Sequence, residues 1–189
     1  MKKSYKVVVA IAATSLITSV AVAPANAAGT KQKVCVALDT AGINDKSFNQ
    51  TSYEGAKAAK AAGYASTIEY LPAKSGADFV PNIKKFLDKK CTLIIGVGYL
   101  LGDAIGDAAA KNPGVNFALV DGWSGGKNQK GITYKTDENS FLVGYLAAGM
   151  SKTGKVATYG GMKIPTVTIF MEGYARGVQY YNAANDKDV

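Results

Sequence analysis

The chain has 189 residues and a formal net charge of +8, from 22 Lys and Arg against 14 Asp and Glu. It contains no histidine, which excludes Ser-His-Asp and Cys-His catalysis and removes the commonest protein ligand for metals. The lysines are scattered among alanines and acids, so solvated helix faces explain them better than a nucleic-acid surface. We therefore expect no bound metal, no cofactor and no nucleic-acid partner.

Residues 1–27 have the pattern of an export signal. A basic start from Lys2 to Lys6 precedes an uncharged apolar run from Val7 to Val22, and residues 25–27 give the small-x-small pattern of a cleavage site. A membrane anchor is the alternative, but a run of about 16 residues is short for a spanning helix. We expect an exported chain whose mature part begins near Ala28.

Beyond the leader, apolar runs alternate with amphipathic segments. The predicted strands are 34–38, 66–71, 93–97, 116–120 and 131–134, and the predicted helices are 47–62, 77–89, 102–111 and 138–152. In the last of these helices, the residues expected to face inward are Phe141, Leu142, Tyr145 and Leu146. This alternation predicts an α/β fold, a doubly wound parallel sheet with right-handed crossovers.

One more strand is predicted at 156–159 and one more helix at 166–182. A parallel βα unit at the end of a finished sheet looks like the first piece of a second lobe whose other strands are absent. We therefore predict an N-terminal ligand-binding lobe over residues 28–153 and the incomplete start of a second lobe over residues 154–189.

The only two cysteines, Cys35 and Cys91, lie at the starts of two predicted strands and do not form a C-x-x-C pair. In an exported protein, two cysteines most simply form one disulfide. If the two strands are parallel neighbours, their starts lie about 5 Å apart, within reach of such a bond. The alternative is two separate buried thiols.

Three strand ends bring polar groups to one edge of the predicted sheet. The first strand ends at Asp39, the third at Gly98 and Tyr99, and the fourth at Asp121. In a 2-1-3-4 strand order, the first and fourth strands are about 10 Å apart, the length of a nucleoside or a small sugar. Carboxylates there can accept hydrogen bonds from ribose hydroxyls or ring N–H groups. Either aspartate alone is more simply a loop or capping residue, but the pair favours ligand binding.

The turn after the first strand contains the largest group of candidate ligand-binding residues. Its candidate ligand-binding residues are Asp45, Lys46, Ser47, Phe48 and Asn49. The ring of Phe48 would lie at the first turn of a helix, where it could stack on a base or simply close the helix start. Ser47 and Gln50 have the spacing of a capping box, so the polar side chains could also serve the helix.

A glycine pattern, Gly96-x-Gly98-x-x-x-Gly102, follows the third strand and opens a helix. Together with Asp121 it is similar to a dinucleotide-binding fingerprint, which would make the protein an NAD-dependent enzyme. It lies on the third strand instead of the first βα unit, and an exported protein would rarely meet NAD. Glycines that pack a tight strand-to-helix turn are the simpler interpretation.

Five segments resemble the basic membrane protein (BMP) family, substrate-binding proteins of ABC transporters of the purine nucleoside receptor type. The segments are 34–50, 93–102, 117–121, 138–150 and 155–177, and they include the blocks D-K-S-F-N-Q and G-G-M-x-I-P. The resemblance implies a clamshell of the type I periplasmic binding protein fold, with the ligand held between two lobes. By similarity, Asp39 would bind the base, Phe48 would stack on it, and Asp121 would hold the ribose, with Ser47 and Asn49 lining the site.

The resemblance implies a binding protein and not an enzyme. We expect an extracytoplasmic, monomeric nucleoside-binding component, with purines favoured, that lies peripheral to the cell membrane and partners an ABC transporter permease. A sugar or other small solute on the same fold is the alternative. Neither cysteine follows a lipobox, so a lipid anchor is not expected. The chain ends before the region where the second lobe of the family supplies another stacking aromatic residue, a lysine and further polar contacts.

Overall fold

In the computed structural model, which describes residues 31–189, five parallel strands form one sheet in the order β2-β1-β3-β4-β5. The strands are β1 (Gln32–Leu38), β2 (Ala65–Pro72), β3 (Leu93–Val97), β4 (Asn116–Val120) and β5 (Gln129–Ile132). The helices are α1 (Phe48–Ala61), α2 (Phe79–Asp88), α3 (Gly102–Lys111), α4 (Thr136–Met150) and α5 (Pro165–Asn185). The predicted doubly wound sheet is confirmed. The predicted export signal lies outside the described residues.

Helices lie on both faces of the sheet, as a parallel sheet requires. On one face, Phe86 of α2 and Ile105 of α3 pack with Ile94 of β3, and all three are fully buried. On the other face, Ala56 of α1 packs over Val36. Residues 34–38 are all buried, which explains why β1 is an uninterrupted apolar run.

The predicted disulfide between Cys35 and Cys91 is present, with a Cα–Cα distance of 6.1 Å. Cys35 lies beside Ile94 in the β1–β3 register, so the bond ties β1 to the segment that enters β3. Both cysteines are buried in the core beneath α2 and α3.

The end of the chain differs from the prediction. Residues 156–159 form no strand, and Tyr159 is 94% exposed. The inward face predicted for α4 is wrong for Leu142 and Leu146, which are 65% and 62% exposed. β5 begins two residues earlier than the predicted strand at 131–134.

Small residues explain why α4 packs along α5. The buried positions of α4 are Ser140, Gly144 and Ala148, and those of α5 are Gly173 and Gly177. A Cβ on Gly144 or Gly177 would lie 2.0 Å from a carbonyl oxygen of the opposite helix, so only glycine permits this approach. Leu142 and Leu146 are exposed, whereas the rings of Phe141 and Tyr145 contact Tyr180 and Tyr181 of α5. Among residues 31–189, no helix is both long and apolar enough to cross a membrane.

Candidate functional site

The structure brings Asp39 and Gly98 into contact where β1 and β3 end. Gly98 has φ of +102° and donates its backbone N–H to the carbonyl of Val120 at 3.0 Å, which joins the end of β3 to the end of β4. A Cβ on Gly98 would lie 3.1 Å from Oδ2 of Asp39. Glycine therefore satisfies both the left-handed backbone and the close approach of the carboxylate.

Asn49 fixes the orientation of the Asp39 carboxylate. Asn49 is fully buried, and its Nδ2 donates to Oδ1 of Asp39 at 2.7 Å and to the carbonyl of Gly42 at 3.0 Å. The backbone N–H of Ala41 donates to the same Oδ1 at 2.9 Å. No group in the described part of the chain donates to Oδ2. One carboxylate oxygen is thus held by the protein, and the other is open to a ligand.

Asp45 caps α1, and the predicted capping role of Ser47 is wrong. The two carboxylate oxygens of Asp45 accept from the backbone N–H groups of Ser47, Asn49 and Gln50 at 2.9 to 3.0 Å, whereas the hydroxyl of Ser47 makes no capping bond. Partial burial alone would raise the pKa of Asp45, but these backbone donors together hold the pKa below its ordinary value. The carboxylate of Asp45 is therefore engaged in capping α1, the helix that begins at Phe48.

Four aromatic rings lie near this edge. Phe48 is 40% exposed, and its ring centroid is 6.0 Å from that of Tyr134, which follows β5. Tyr99 and Trp123 form an edge-to-face pair with centroids 5.8 Å apart. Exposed rings at the carboxyl edge of a parallel sheet supply flat surfaces for a ligand ring. Sequence reasoning missed Tyr134 and Trp123, although Trp123 follows Asp121 by two positions and could have been found from that spacing.

Asp121 occupies the end of β4 in a left-handed conformation, with φ of +61°, and its N–H donates to the carbonyl of Ile132 at 2.9 Å. Burial raises the pKa of its carboxyl group, against a smaller opposing effect of the side-chain hydrogen bond with Thr166. Thr166 lies in the first turn of α5, and sequence reasoning did not select it. Asp121 therefore lies where β4 and α5 meet.

A cavity of about 190 Å³ surrounds this junction. Its lining residues are Asp121, Trp123, Thr133, Tyr134, Thr136, Pro165, Thr166 and Ile169. The cavity combines a carboxylate, hydroxyl groups and two aromatic rings. Such a lining suits a neutral ligand that has a flat ring and hydrogen-bond donors.

The remaining predicted site residues, Lys46, Ser47 and Tyr99, also lie at this edge. Lys46 has φ of +54° and is exposed, as is Ser47, beside the helix start. Gly96 packs against α3, because a Cβ there would lie 2.6 Å from Ile105. Packing thus explains this glycine without a pyrophosphate. In residues 31–189 no group of three or more potential metal ligands is found.

The fold and this edge define a doubly wound α/β lobe with a polar, aromatic site at the carboxyl ends of its strands. Residues 31–186 match the family Bmp, described as "ABC transporter substrate-binding protein PnrA-like", and the chain belongs to this family. The family predicted from the sequence is confirmed. The family is one of transporter substrate-binding components.

The ABC transporter nucleoside-binding protein BmpA of Lactococcus lactis is 34% identical to this chain, in an alignment that covers 95% of this chain and 54% of BmpA. An ABC transporter solute-binding protein from Aeropyrum pernix has a solved structure that is 31% identical, with a TM-score of 0.70 over 84% of this chain and 45% of its own. GanP, a glucose-galactose binding protein from Geobacillus stearothermophilus, is 19% identical and shares the fold, with a TM-score of 0.59 over 81% of this chain and 56% of its own. The chain spans about half the length of these relatives.

Proposed function

We propose that the chain is part of an extracytoplasmic solute-binding protein that holds one side of a nucleoside, with purines favoured. The observation that carries the proposal is that Asp39 and Asp121 follow β1 and β4 at the same edge of the sheet, and that Asp121 lines a cavity with Tyr134, whose ring centroid is 6.0 Å from that of Phe48. Support comes from family membership and from the relative named as a nucleoside-binding protein.

Each group has a role that follows from its chemistry. Phe48 stacks on the base, because an exposed ring gains most from a flat apolar partner. Asp39 accepts a hydrogen bond from a ring N–H through Oδ2, and Asp121 accepts from ribose hydroxyls. Gly98 lets the backbone at the end of β3 lie close to the carboxylate of Asp39. None of these roles breaks a bond in the ligand, so the proposed function is binding and delivery, not catalysis.

The proposal extends to the whole transporter. Ligand bridges two lobes and shifts an equilibrium between open and closed forms, and the closed form docks on an ABC permease as a monomer at the outer side of the membrane. The division at residues 153 and 154 stays part of this proposal.

Calorimetric titration with inosine, guanosine, adenosine and cytidine tests the proposal, with ribose as the control ligand. We expect saturable heat with the nucleosides only. Their affinity should be weaker than submicromolar, because the proposed site uses both lobes. The variant Phe48→Ala should bind about three- to tenfold more weakly, since aromatic pairs contribute about 0.5–1.5 kcal/mol. Tyr64→Ala is the matched control, because this exposed ring precedes β2 at the opposite end of the sheet.

The outcomes separate the alternatives. Binding of ribose that equals nucleoside binding, with Phe48→Ala unchanged, would favour the sugar-binding alternative. Stabilisation of the protein by NAD, seen as a rise in Tm, would favour the enzyme alternative. Absence of heat from every nucleoside on folded, monodisperse protein would contradict base recognition by this edge.

A further inference from the structure

A second cavity, of about 690 Å³, lies between α3, the loop after β4 and the start of β5. Its lining includes Asp103, Gly106 and Asp107 of α3, Gly125 of the loop and Gln129 of β5. Its volume is in the range of small-molecule sites. The residues Asp39, Phe48 and Asp121 do not line it, whereas Tyr99 and Trp123 do, so it adjoins the proposed nucleoside edge.

The base of this cavity holds an unpaired acceptor. Gln129 is only 7% exposed, and its Oε1 has no hydrogen-bond partner within residues 31–189. Its Nε2 lies 3.5 Å from the carbonyl oxygen of Trp123, at the limit of a hydrogen bond. A buried amide oxygen without a donor is unfavourable, and native structures rarely leave one unexplained.

Two glycines lie next to this acceptor at the wall of the cavity. A Cβ on Gly125 would lie 2.2 Å from Oε1 of Gln129, and a Cβ on Gly106 would lie 3.8 Å from it. Both glycines line the cavity, so Oε1 lies directly beneath its surface. A side chain at position 125 would clash with the oxygen, which has almost no accessible surface in this conformation. A molecule in the cavity can supply the missing donor when the Gln129 side chain turns towards it.

The charged residues that line the cavity determine which kind of hydrogen-bond donor it can bind. Asp103 and Asp107 are exposed and lie one helical turn apart on α3, and no Lys or Arg is among the lining residues. Tyr99 and Trp123 form the aromatic wall, edge to face. Two carboxylates, an amide oxygen and an indole ring all attract a positively charged group that carries N–H donors.

We propose that this cavity binds a small organic cation with an amino or guanidinium group. The cationic head pairs with Asp103 and Asp107, donates one N–H to Oε1 of Gln129 and lies against the indole of Trp123. The chain then has two ligand sites that share the wall formed by Tyr99 and Trp123. The nucleoside edge accepts a neutral ring, and this cavity accepts a cation.

Agmatine is the probe, because it carries an amine and a guanidinium, and 1,4-butanediol is the neutral control. Trp123 is the only tryptophan in the chain, so its fluorescence reports on the cavity wall. We expect a saturable change with agmatine alone that weakens as salt is added. The double variant Asp103→Asn with Asp107→Asn should bind at least tenfold more weakly, and Gln129→Met at least threefold more weakly.

Glu54→Gln with Asp88→Asn is the charge-matched control, since these acids lie on α1 and α2 and do not line the cavity. Amide shift mapping by NMR on the unsubstituted protein locates the probe without any variant. Shifts centred on Gly106, Gly125 and Gln129 are expected. No saturable response to agmatine, shifts centred elsewhere, or equal weakening in the charge-matched control would each overturn the proposal.

Discussion

Replacing Asp121 with asparagine tests the charge of this side chain while its shape is kept. The residue has φ of +61°, and asparagine is, with aspartate, among the few residues that adopt this conformation readily. The N–H bond to Ile132 is a backbone contact and is retained. Asparagine also offers an oxygen to Thr166. The variant therefore removes the negative charge and little else.

The expected loss of affinity follows from the change of acceptor. A hydrogen bond to a charged group contributes about 1.5–3 kcal/mol, against about 0.5–1.5 kcal/mol for a neutral pair. The difference of about 1–1.5 kcal/mol corresponds to an increase of about five- to tenfold in Kd for a nucleoside. Calorimetric titration measures this change directly. Asp88→Asn at the end of α2, where the chain returns to the start of β3 at the opposite edge of the sheet, serves as the control and should leave Kd unchanged.

Stability without ligand should change in the opposite direction. Burial raises the pKa of Asp121 above its ordinary 3.8, so the folded state disfavours the ionised carboxyl at neutral pH. The parent chain gains stability relative to the variant as pH falls through this raised pKa towards 3.8. Urea unfolding at pH 7 should therefore find Asp121→Asn no less stable than the parent, and its relative advantage should shrink on acidification.

Two results would refute this reasoning. Equal nucleoside affinity of the parent and Asp121→Asn would show that the carboxylate does not accept a hydrogen bond from the ligand. A variant that is clearly less stable at pH 7, with no change in the difference on acidification, would show that burial does not penalise the charge of Asp121.

Three further predictions concern stability. Asp45→Ala should lower the free energy of urea unfolding by about 1 kcal/mol through loss of the α1 cap, whereas Ser47→Ala should change it little. The parent should lose the contribution of Asp45 as pH falls through its lowered pKa, and Asp45→Asn should show no such loss. Reduction of the disulfide, which closes a separation of 56 residues, should lower the unfolding free energy by about 4 kcal/mol in the chain-entropy model, measured with and without reductant. Gly177→Val should raise amide hydrogen exchange in α4, while Gly161→Val, which meets nothing within 4 Å, should not.

Local patterns were sufficient to predict most of the sheet and the strand ends that Asp39 and Asp121 follow. The continuous apolar run at 34–38 predicted a strand buried on both faces, and the strand order followed from the βα alternation. The order in turn predicted the disulfide and the edge shared by Asp39 and Asp121. These predictions hold because each depends on residues close in sequence plus one topological rule.

The errors arose where a choice between tertiary partners decides the structure. The helix α4 is apolar on several sides, so its pattern did not show which side is buried, and the close approach of Gly144 to α5 decides it. Residues 156–159 have the composition of a strand, but a strand needs a neighbour to share its hydrogen bonds. At the start of α1, Ser47 and Asp45 both could cap, and only geometry distinguishes them.

Backbone conformation adds an argument for the site that side-chain chemistry does not provide. Of the four non-glycine residues with positive φ in residues 31–189, Lys46 and Asp121 lie at the carboxyl edge. This conformation costs about 1 kcal/mol or more for most L-residues and less for aspartate. Such strain persists only where surrounding contacts hold it, as the bond from Asp121 N–H to Ile132 does here. Glycine at position 121 would adopt this conformation without steric cost. Aspartate at this position has an explanation if its carboxylate is needed at the end of β4, where the proposed ligand lies.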